Sequence, residues 1–374
     1  MGMAATRLTD DLLVEILARV PAKSLARFKC VSKHWLGLTF DRSHRRRLPQ
    51  TLSGFFYSSA GEECFLESPV HFTSVEGSRR PLVRTSSAFL PSHRRVDLLD
   101  CCNGLLLCRW YEVSARADEF RYVVCNPATE KWVVLPDSGQ AGEVGAARLG
   151  FDQASPHFHV FELVEQEFFS PDFPVYLIGV QVYSSESGRW VHNEKAWDEH
   201  IRLANRQSAT VFLNGHLHFH TYDGESRQCL AAVDTEGETW TDFRAPGGLD
   251  GGHIQQSQGR LHYANFHQDE DARVVRLVVH VLEDYDSKEW ILKHSVETSY
   301  LSGGTHVLDL NVDFHLIAVH PECNLIFFTA GWDTTFMCYN MDSRRVKVIC
   351  NLEDGKPPYL PYVPLYTELP SLHT

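Results

Sequence analysis

Asn126-Pro127-Ala128-Thr129-Glu130-Lys131-Trp132-Val133-Val134-Leu135 is a polar turn followed, six residues after its first member, by a tryptophan that opens an apolar run. The same arrangement recurs at Ser184–Trp190, Asp234–Trp240 and Asp284–Trp290, and a fifth copy, Asn340–Val346, keeps the turn with Val in place of Trp. The starts lie 58, 50, 50 and 56 residues apart. An apolar run precedes the turn, as in Tyr122-Val123-Val124 or Phe336-Met337-Cys338-Tyr339. Upstream of most copies lies a second small corner: Asn103-Gly104, Asn214-Gly215, Gln258-Gly259, Cys323-Asn324. Short runs of Val, Phe, Tyr and Leu alternating with Gly, Asn, Asp and Ser read as short antiparallel strands. About four strands in each unit of roughly 50 residues make the blade of a β-propeller with kelch-like spacing. In such a blade the Trp packs between neighbouring sheets, so its recurrence is structural.

Residues 50–97 are expected to form a sixth, degenerate unit, and Tyr362-Val363-Pro364-Leu365-Tyr366 to supply a strand that closes the ring with it. The even period favours a propeller of about six blades; the alternative is a β-sandwich of two large sheets.

The first 47 residues are of another kind. They hold ten Lys/Arg against Asp10, Asp11, Glu15 and Asp41, whereas residues 48–374 hold 25 Lys/Arg against 44 Asp/Glu. The division is a short helical head, 1–47 with its core at 8–40, and an all-β tail, 48–374. Thr9 is an N-cap for a helix whose first turn carries Asp10 and Asp11, and Leu12, Leu13, Ile16, Leu17 and Val20 form its apolar stripe. Pro21 ends it. A second helix carries Leu25, Phe28 and Val31, and Ser32 caps a third with Trp35 and Leu38 facing inward. On periodicity alone these residues are the core of an ordinary helical subdomain, and one so small is stable chiefly when docked on something else.

The order of residues from Leu8 to Trp35 resembles the F-box: Leu8-Thr9-Asp10-Asp11-Leu12-Leu13-Val14-Glu15-Ile16-Leu17-Ala18-Arg19-Val20-Pro21, then Lys23-Ser24-Leu25, Phe28-Lys29 and Val31-Ser32-Lys33-His34-Trp35. Thr9 departs from the pattern, which usually has Pro there. The segments Cys102-Asn103-Gly104-Leu105-Leu106, Asn126-Pro127-Ala128-Thr129 with Trp132, and Val182-Tyr183-Ser184-Ser185 with Trp190 also resemble the associated, kelch-like domain of plant F-box proteins. The resemblance implies docking to a Skp-family adaptor and through it a cullin–RING ubiquitin ligase of the SCF type, with an unknown protein target on the propeller. Its adaptor-facing positions are Leu8, Ile16, Pro21, Leu25, Cys30, Val31, Lys33 and Trp35, while Leu12, Leu13, Leu17 and Phe28 mainly hold the helices together.

Catalytic and metal-binding patterns are not found. His216, His218 and His220 share one face of a strand but span about 13 Å, too far for one ion, and read as polar-face residues, as do His157 and His159. Gly247-Gly248-Leu249-Asp250-Gly251-Gly252 lacks the Lys-Ser/Thr of a phosphate loop and reads as a turn between blades. The 10 Cys contain no C-x-x-C pair and are expected to be reduced, buried thiols. No cofactor, catalytic residue or metal is expected, and the net charge of −13 argues against nucleic acid as a partner. No apolar run reaches the ~20 residues of a membrane span, and Met1 to Asp11 holds no apolar stretch of signal-peptide length, so a cytoplasmic or nuclear protein is expected. Met1-Gly2 with Thr6 fits the form of an N-myristoylation site, and Arg45-Arg46-Arg47 that of a nuclear signal, but solvated surface explains the basic run as well. Target contacts are expected from three longer insertions on one propeller face, 109–121, 137–149 and 165–175, with Phe168, Phe169 and Phe173 as anchors. The other classes left open are an F-box scaffold acting outside a ligase and a kelch-type glycan-binding or enzymatic module.

Overall fold

A computed structural model describes residues 8–20, 31–41, 51–59, 70–75, 89–113, 119–139, 144–166, 176–193, 201–204, 209–223, 225–249, 252–269, 274–302, 314–331, 334–352 and 355–373, together with Leu25, Phe28, His44 and Leu48. The strands form six antiparallel sheets. β1 (Gly54–Ser59) and β2 (Val70–Ser74) open blade 1. Blade 2 is β3 (His93–Cys102), β4 (Leu105–Glu112), β5 (Arg121–Asn126) and β6 (Lys131–Val134). Blade 3 is β7 (Val144–Phe151), β8 (Phe158–Gln166), β9 (Tyr176–Ser184) and β10 (Arg189–Asn193). In blade 4, β11 (Arg202–Leu203) and β12 (Val211–Leu213) both pair with β13 (His216–Tyr222), followed by β14 (Gln228–Asp234) and β15 (Trp240–Arg244). Blade 5 is β16 (His253–Ser257), β17 (Arg260–Gln268), β18 (Val275–Asp284) and β19 (Glu289–Glu297). Blade 6 is β20 (Phe314–Val319), β21 (Leu325–Ala330), β22 (Thr335–Asn340) and β23 (Arg345–Asn351). The last strand, β24 (Gly355–Tyr362), pairs antiparallel with β1 and completes blade 1.

The innermost strands touch in a closed cycle, β24 to β3, β3 to β7, β7 to β12, β12 to β16, β16 to β20, and β20 back to β24. That cycle is a six-bladed propeller and excludes the two-sheet sandwich. The closing strand lies earlier than the sequence suggested: Gly355–Tyr362 pairs with β1, and Val363–Tyr366 runs on beyond it. Pro357, Pro358 and Pro361 made this segment a poor strand candidate, yet β24 bonds a neighbour only on the β1 side, and an edge tolerates residues without an N–H.

The repeated turn is polar because its first side chain closes it. Asn340 Oδ1 accepts from Asp342 N and Ser343 N at 2.9 Å, Asp284 from Asp286 N and Ser287 N, and Asp234 from Glu238 N and Thr239 N. These side chains stand in for a backbone acceptor. The residue six positions on then packs on the preceding blade. Trp132 joins the cluster of Phe56 and Tyr362, Trp190 that of Leu105 and Tyr122, Trp240 that of Phe161 and Val180, Trp290 that of Leu230 and Phe243, and Val346 that of Ala264 and Leu277.

Alternating strand direction sorts the connections onto two ends. The tight corners, Asn103-Gly104 and Asn214-Gly215 among them, and all the turn-to-Trp corners share one end, the turn face. The connections between second and third strands, and those that join blades 2 to 6 in succession, leave from the other, the loop face. The three insertions expected from the sequence are on that face but shorter than read, since 109–112, 144–149 and 165–166 belong to β4, β7 and β8; the connections are 113–120, 135–143 and 167–175.

The chain enters β1 at the turn face, where Gly54 opposes Tyr362 and Ser53 N donates to Tyr362 O at 2.9 Å. The C-terminal residues cross the same face as a strap. Leu365, Leu369 and Leu372 are buried with Leu105, Phe151 and Phe158. Asn126 Nδ2 donates to Leu365 O at 2.9 Å, and His373 and Trp132 exchange both backbone hydrogen bonds, at 2.9 and 2.8 Å. Gly104 sits at φ +95° beneath this strap, and a Cβ there would stand 2.5 Å from Val363 O and 2.6 Å from Leu365 Cβ. Gly104→Ala is therefore expected to destabilise the fold by about 2–3 kcal/mol, readable in a denaturant melt, where an Ala at an unstrained turn would cost almost nothing.

In the head, α1 (Asp10–Ala18) buries Leu13 and Val14 against Leu38 of α2 (Lys33–Phe40), and Leu17 against Leu25 and Leu48. Trp35 borders both clusters, its ring meeting Phe28 edge-on at 5.3 Å. Ser32 Oγ caps α2 by accepting from Trp35 N at 3.1 Å, as the sequence predicts. Thr9 holds the N-cap position of α1 without a side-chain cap bond.

Candidate functional site

The head folds with part of its apolar surface facing outward. Leu8 just ahead of α1, and Leu12 and Ile16 on it, each four residues on, are 52%, 52% and 45% exposed; Val31 before α2 is 61% exposed and Leu36 in its first turn 37%. The opposite side of α1 is already used, with Val14 and Leu17 at 0%. An exposed apolar row on a helix whose other face is packed marks a surface for a partner. Polar contacts fix the row in place: His34 Nε2 and Asp10 Oδ1 are 3.0 Å apart and tie α2 to the first turn of α1, and Arg19 reaches Glu15 at 3.4 Å. Lys33 is exposed beside this surface and Trp35 is half-buried.

Two placements differ from the sequence reading. Leu12, expected inside, is on the outer row, and Leu25, expected outside, is 3% exposed and packs with Leu17 and Leu48. Periodicity draws one broad apolar stripe on α1 and cannot tell which half meets α2. Leu36 was missed because it follows Trp35 without a repeat of its own. Pro21, Cys30, Gly2, Arg45-Arg46-Arg47, Phe168, Phe169 and Phe173 lie outside the described residues.

The histidine row is a correction. His218 is fully buried and His220 nearly so, not on a polar face. The middle strands of a propeller blade are covered on both sides by neighbouring blades, so alternation with a wet face does not apply to them. His218 Nδ1 bonds Val211 O at 3.0 Å, a carbonyl, so Nδ1 carries the hydrogen and Nε2 accepts from the Tyr285 hydroxyl. Burial pulls its pKa down to about 4 and that of His220 to about 3, which keeps both neutral. His157 and His159 are half-buried, and burial lowers the pKa of His159. Among the described residues no group of three or more His, Cys, Asp or Glu is placed to hold a metal ion. The described cysteines are free thiols; Cys108 and Cys125 are buried as expected, while the other described ones are only half-buried. Gly247 to Leu249 connects blades 4 and 5 and closes against Asn265, the part of the glycine-rich stretch that the structure describes before Gly252.

The profile of the F-box domain matches residues 6–43, and that of the F-box associated beta propeller domain matches residues 53–353. The chain belongs to the F-box proteins. Among its relatives, F-box protein At5g07610 of Arabidopsis thaliana is 30% identical over 321 residues, covering 78% of this chain and 71% of that one. F-box protein At5g49610 of the same plant is 25% identical over 337 residues, covering 84% and 86%. This F-box protein is thus of the plant kind, with head and propeller in the order the sequence implied. Solved structures overlay loosely: a puromycin hydrolase complexed with PGG gives a TM-score of 0.44 at 11% identity over 79% of this chain and 44% of that one. The two matched regions leave residues 44–52 between them, and in this F-box protein Leu48 packs with the head while Leu52 packs with Ile317 and Phe327 of the propeller. No described helix is long and apolar enough to cross a membrane.

Proposed function

We propose that this F-box protein is the target-binding, non-catalytic subunit of an SCF-type ubiquitin ligase, its head docking a Skp-family adaptor and its propeller holding a protein target in the cytosol or nucleus. The observation that carries the reading is the outward row Leu8, Leu12 and Ile16, opposite the side where Val14 and Leu17 are buried. Covering the exposed half of three such side chains contributes about 1–1.5 kcal/mol each, a share of what a specific complex needs beyond its association cost. The mechanism is proximity: a target held at fixed distance from the ubiquitin-charged enzyme meets it at high effective concentration.

The connection supports fixed geometry. Leu48 is buried in the head and Leu52 in the propeller, and four residue steps reach at most about 14 Å. The head is therefore held at the turn face, where β1 begins and where the strap already covers blades 2 and 3. The loop face points away from it, and its connections include Glu62, Glu63 and Glu67 between β1 and β2, and Asp269, Glu270 and Asp271 between β17 and β18. We place the target on the loop face, with the connection that holds Phe168, Phe169 and Phe173 among its contacts.

Co-expression of the full chain with a Skp adaptor and a cullin tests the reading. One stoichiometric complex of all three is expected; a chain that purifies free of adaptor contradicts it.

A further inference from the structure

The sequence holds two Asn-Gly pairs, Asn103-Gly104 and Asn214-Gly215, and the fold sets both at the same corner of a blade. Each is the two-residue turn between an inner strand and the next: Cys102 pairs with Leu105 around the first, Leu213 with His216 around the second. Both asparagines are left-handed, at φ 47° and 52°, and so are both glycines, at 95° and 77°, as such a hairpin turn demands. Sequence and local backbone are alike, and only the surroundings differ.

Around Asn103 the corner is shut. Asn103 Nδ2 donates to Phe151 O at 2.6 Å, and Gly104 is buried with Val363 and Leu365 of the strap pressed on it. Around Asn214 it is open. Asn214 is exposed, and a Cβ on Gly215 would meet nothing within 4 Å. Among the described residues the Asn214 side-chain amide has no partner; the bond made there, between His216 Nδ1 and Asn214 O at 2.9 Å, holds the main-chain carbonyl only.

We propose that Asn214 is a site of spontaneous deamidation, that Asn103 is shielded from the same reaction, and that conversion at Asn214 loosens the inner strand of blade 4. The nucleophile is the main-chain nitrogen of Gly215, tethered within a five-membered ring of Asn214 Cγ and unobstructed because glycine has no Cβ. A bond forms between that nitrogen and Cγ, the bond from Cγ to the side-chain nitrogen breaks, and ammonia leaves with the proton of the Gly215 N–H. Water then opens the succinimide. Addition at Cγ gives aspartate on an unchanged main chain. Addition at the main-chain carbonyl carbon gives isoaspartate, whose chain runs through Cβ and Cγ. The balance is one water taken up and one ammonia released, with no oxidant or cofactor. At Asn103 the same attack has to break the bond to Phe151 O and lift the strap, which slows it by at least about tenfold.

Either product places a new carboxylate on the turn face. Isoaspartate also adds a main-chain atom to a turn of two residues, and the register Leu213 to His216, Phe212 to Leu217 and Val211 to His218 depends on that turn. β12 consists of these three residues alone, and it is the link between β7 and β16 in the cycle of inner strands. The bond from His218 Nδ1 to Val211 O is lost with the register.

The test is mass spectrometry of proteolytic peptides from the full chain aged in warm, mildly alkaline buffer, with a second sample aged in denaturant and the melting of native samples read alongside. In the native chain, aspartate and isoaspartate are expected to accumulate at position 214 at least about ten times faster than at position 103. In denaturant the two pairs are expected to convert at comparable rates, because the difference belongs to the fold. The aged chain is expected to gain a fraction that melts earlier, while Asn214→Gly, which suits the turn and has no amide to lose, keeps its melting unchanged. A native Asn214 that converts no faster than Asn103 overturns the proposal, as does a difference that persists in denaturant or an aged parent that melts as aged N214G does. The peptide rates decide the site even if the variant fails to fold.

Discussion

A chain ended after Tyr362 is expected to lose about 5 kcal/mol of stability, although every propeller strand is still present. The truncation removes Leu365, Leu369 and Leu372, each about 4% exposed or less, from the core shared by blades 2 and 3. Each contributes about 1.5–3 kcal/mol on burial, and realistic unfolded chains reduce that total. It also leaves the fully buried Asn126 without Leu365 O as acceptor, and Trp132 without the backbone pair at His373. Domains of this size have only about 5–15 kcal/mol in hand, so about a third or more of the margin goes. For a propeller of this length the loss corresponds to a fall in Tm of roughly 5–10 °C. Thermal unfolding of the purified 1–362 chain against the full chain measures it; a change of a degree or less means the strap is an ornament on an already closed ring.

That strap was not legible in the sequence, and the reason is physical. Leu365, Leu369 and Leu372 acquire their partners from Leu105, Phe151 and Phe158, more than two hundred residues away, and nothing local marks the spacing. The turn-to-Trp repeat was legible because both of its constraints are local: a side chain that caps its own turn and a ring four strands' width from the axis. Blade number followed from the period, whereas the closing strand, Gly355–Tyr362, lies ahead of the Tyr362–Tyr366 segment expected to close the ring. What the period could not say is that both faces of a middle strand are dry, hence the misplacement of His218 and His220. In the head, residue order identified the family, while the side of α1 that turns outward depended on where α2 lands. The structure thereby exchanged Leu12 for Leu25 in the outer set.

This exchange decides how the docking surface is to be probed. Leu25→Ala empties a buried site against Leu17 and Leu48, and is expected to cost about 2–5 kcal/mol of head stability. Lost adaptor binding in that variant says nothing about contact. Leu12→Asp and Ile16→Asp instead place charge on side chains 52% and 45% exposed, where surface substitutions change stability by about 0.5 kcal/mol. In a complex each would bury an unpaired carboxylate and lose an apolar contact, a penalty of several kcal/mol. Together they are expected to weaken adaptor binding by a factor of at least about 1,000.

The most direct measurement is titration calorimetry of a Skp adaptor against the full-length F-box protein and its Leu12→Asp/Ile16→Asp variant, with the melting temperature of each recorded alongside. Tight binding by the parent, none detectable for the variant and equal melting temperatures are the predicted result; a variant that binds as the parent does would contradict the outward face of α1 as the docking surface.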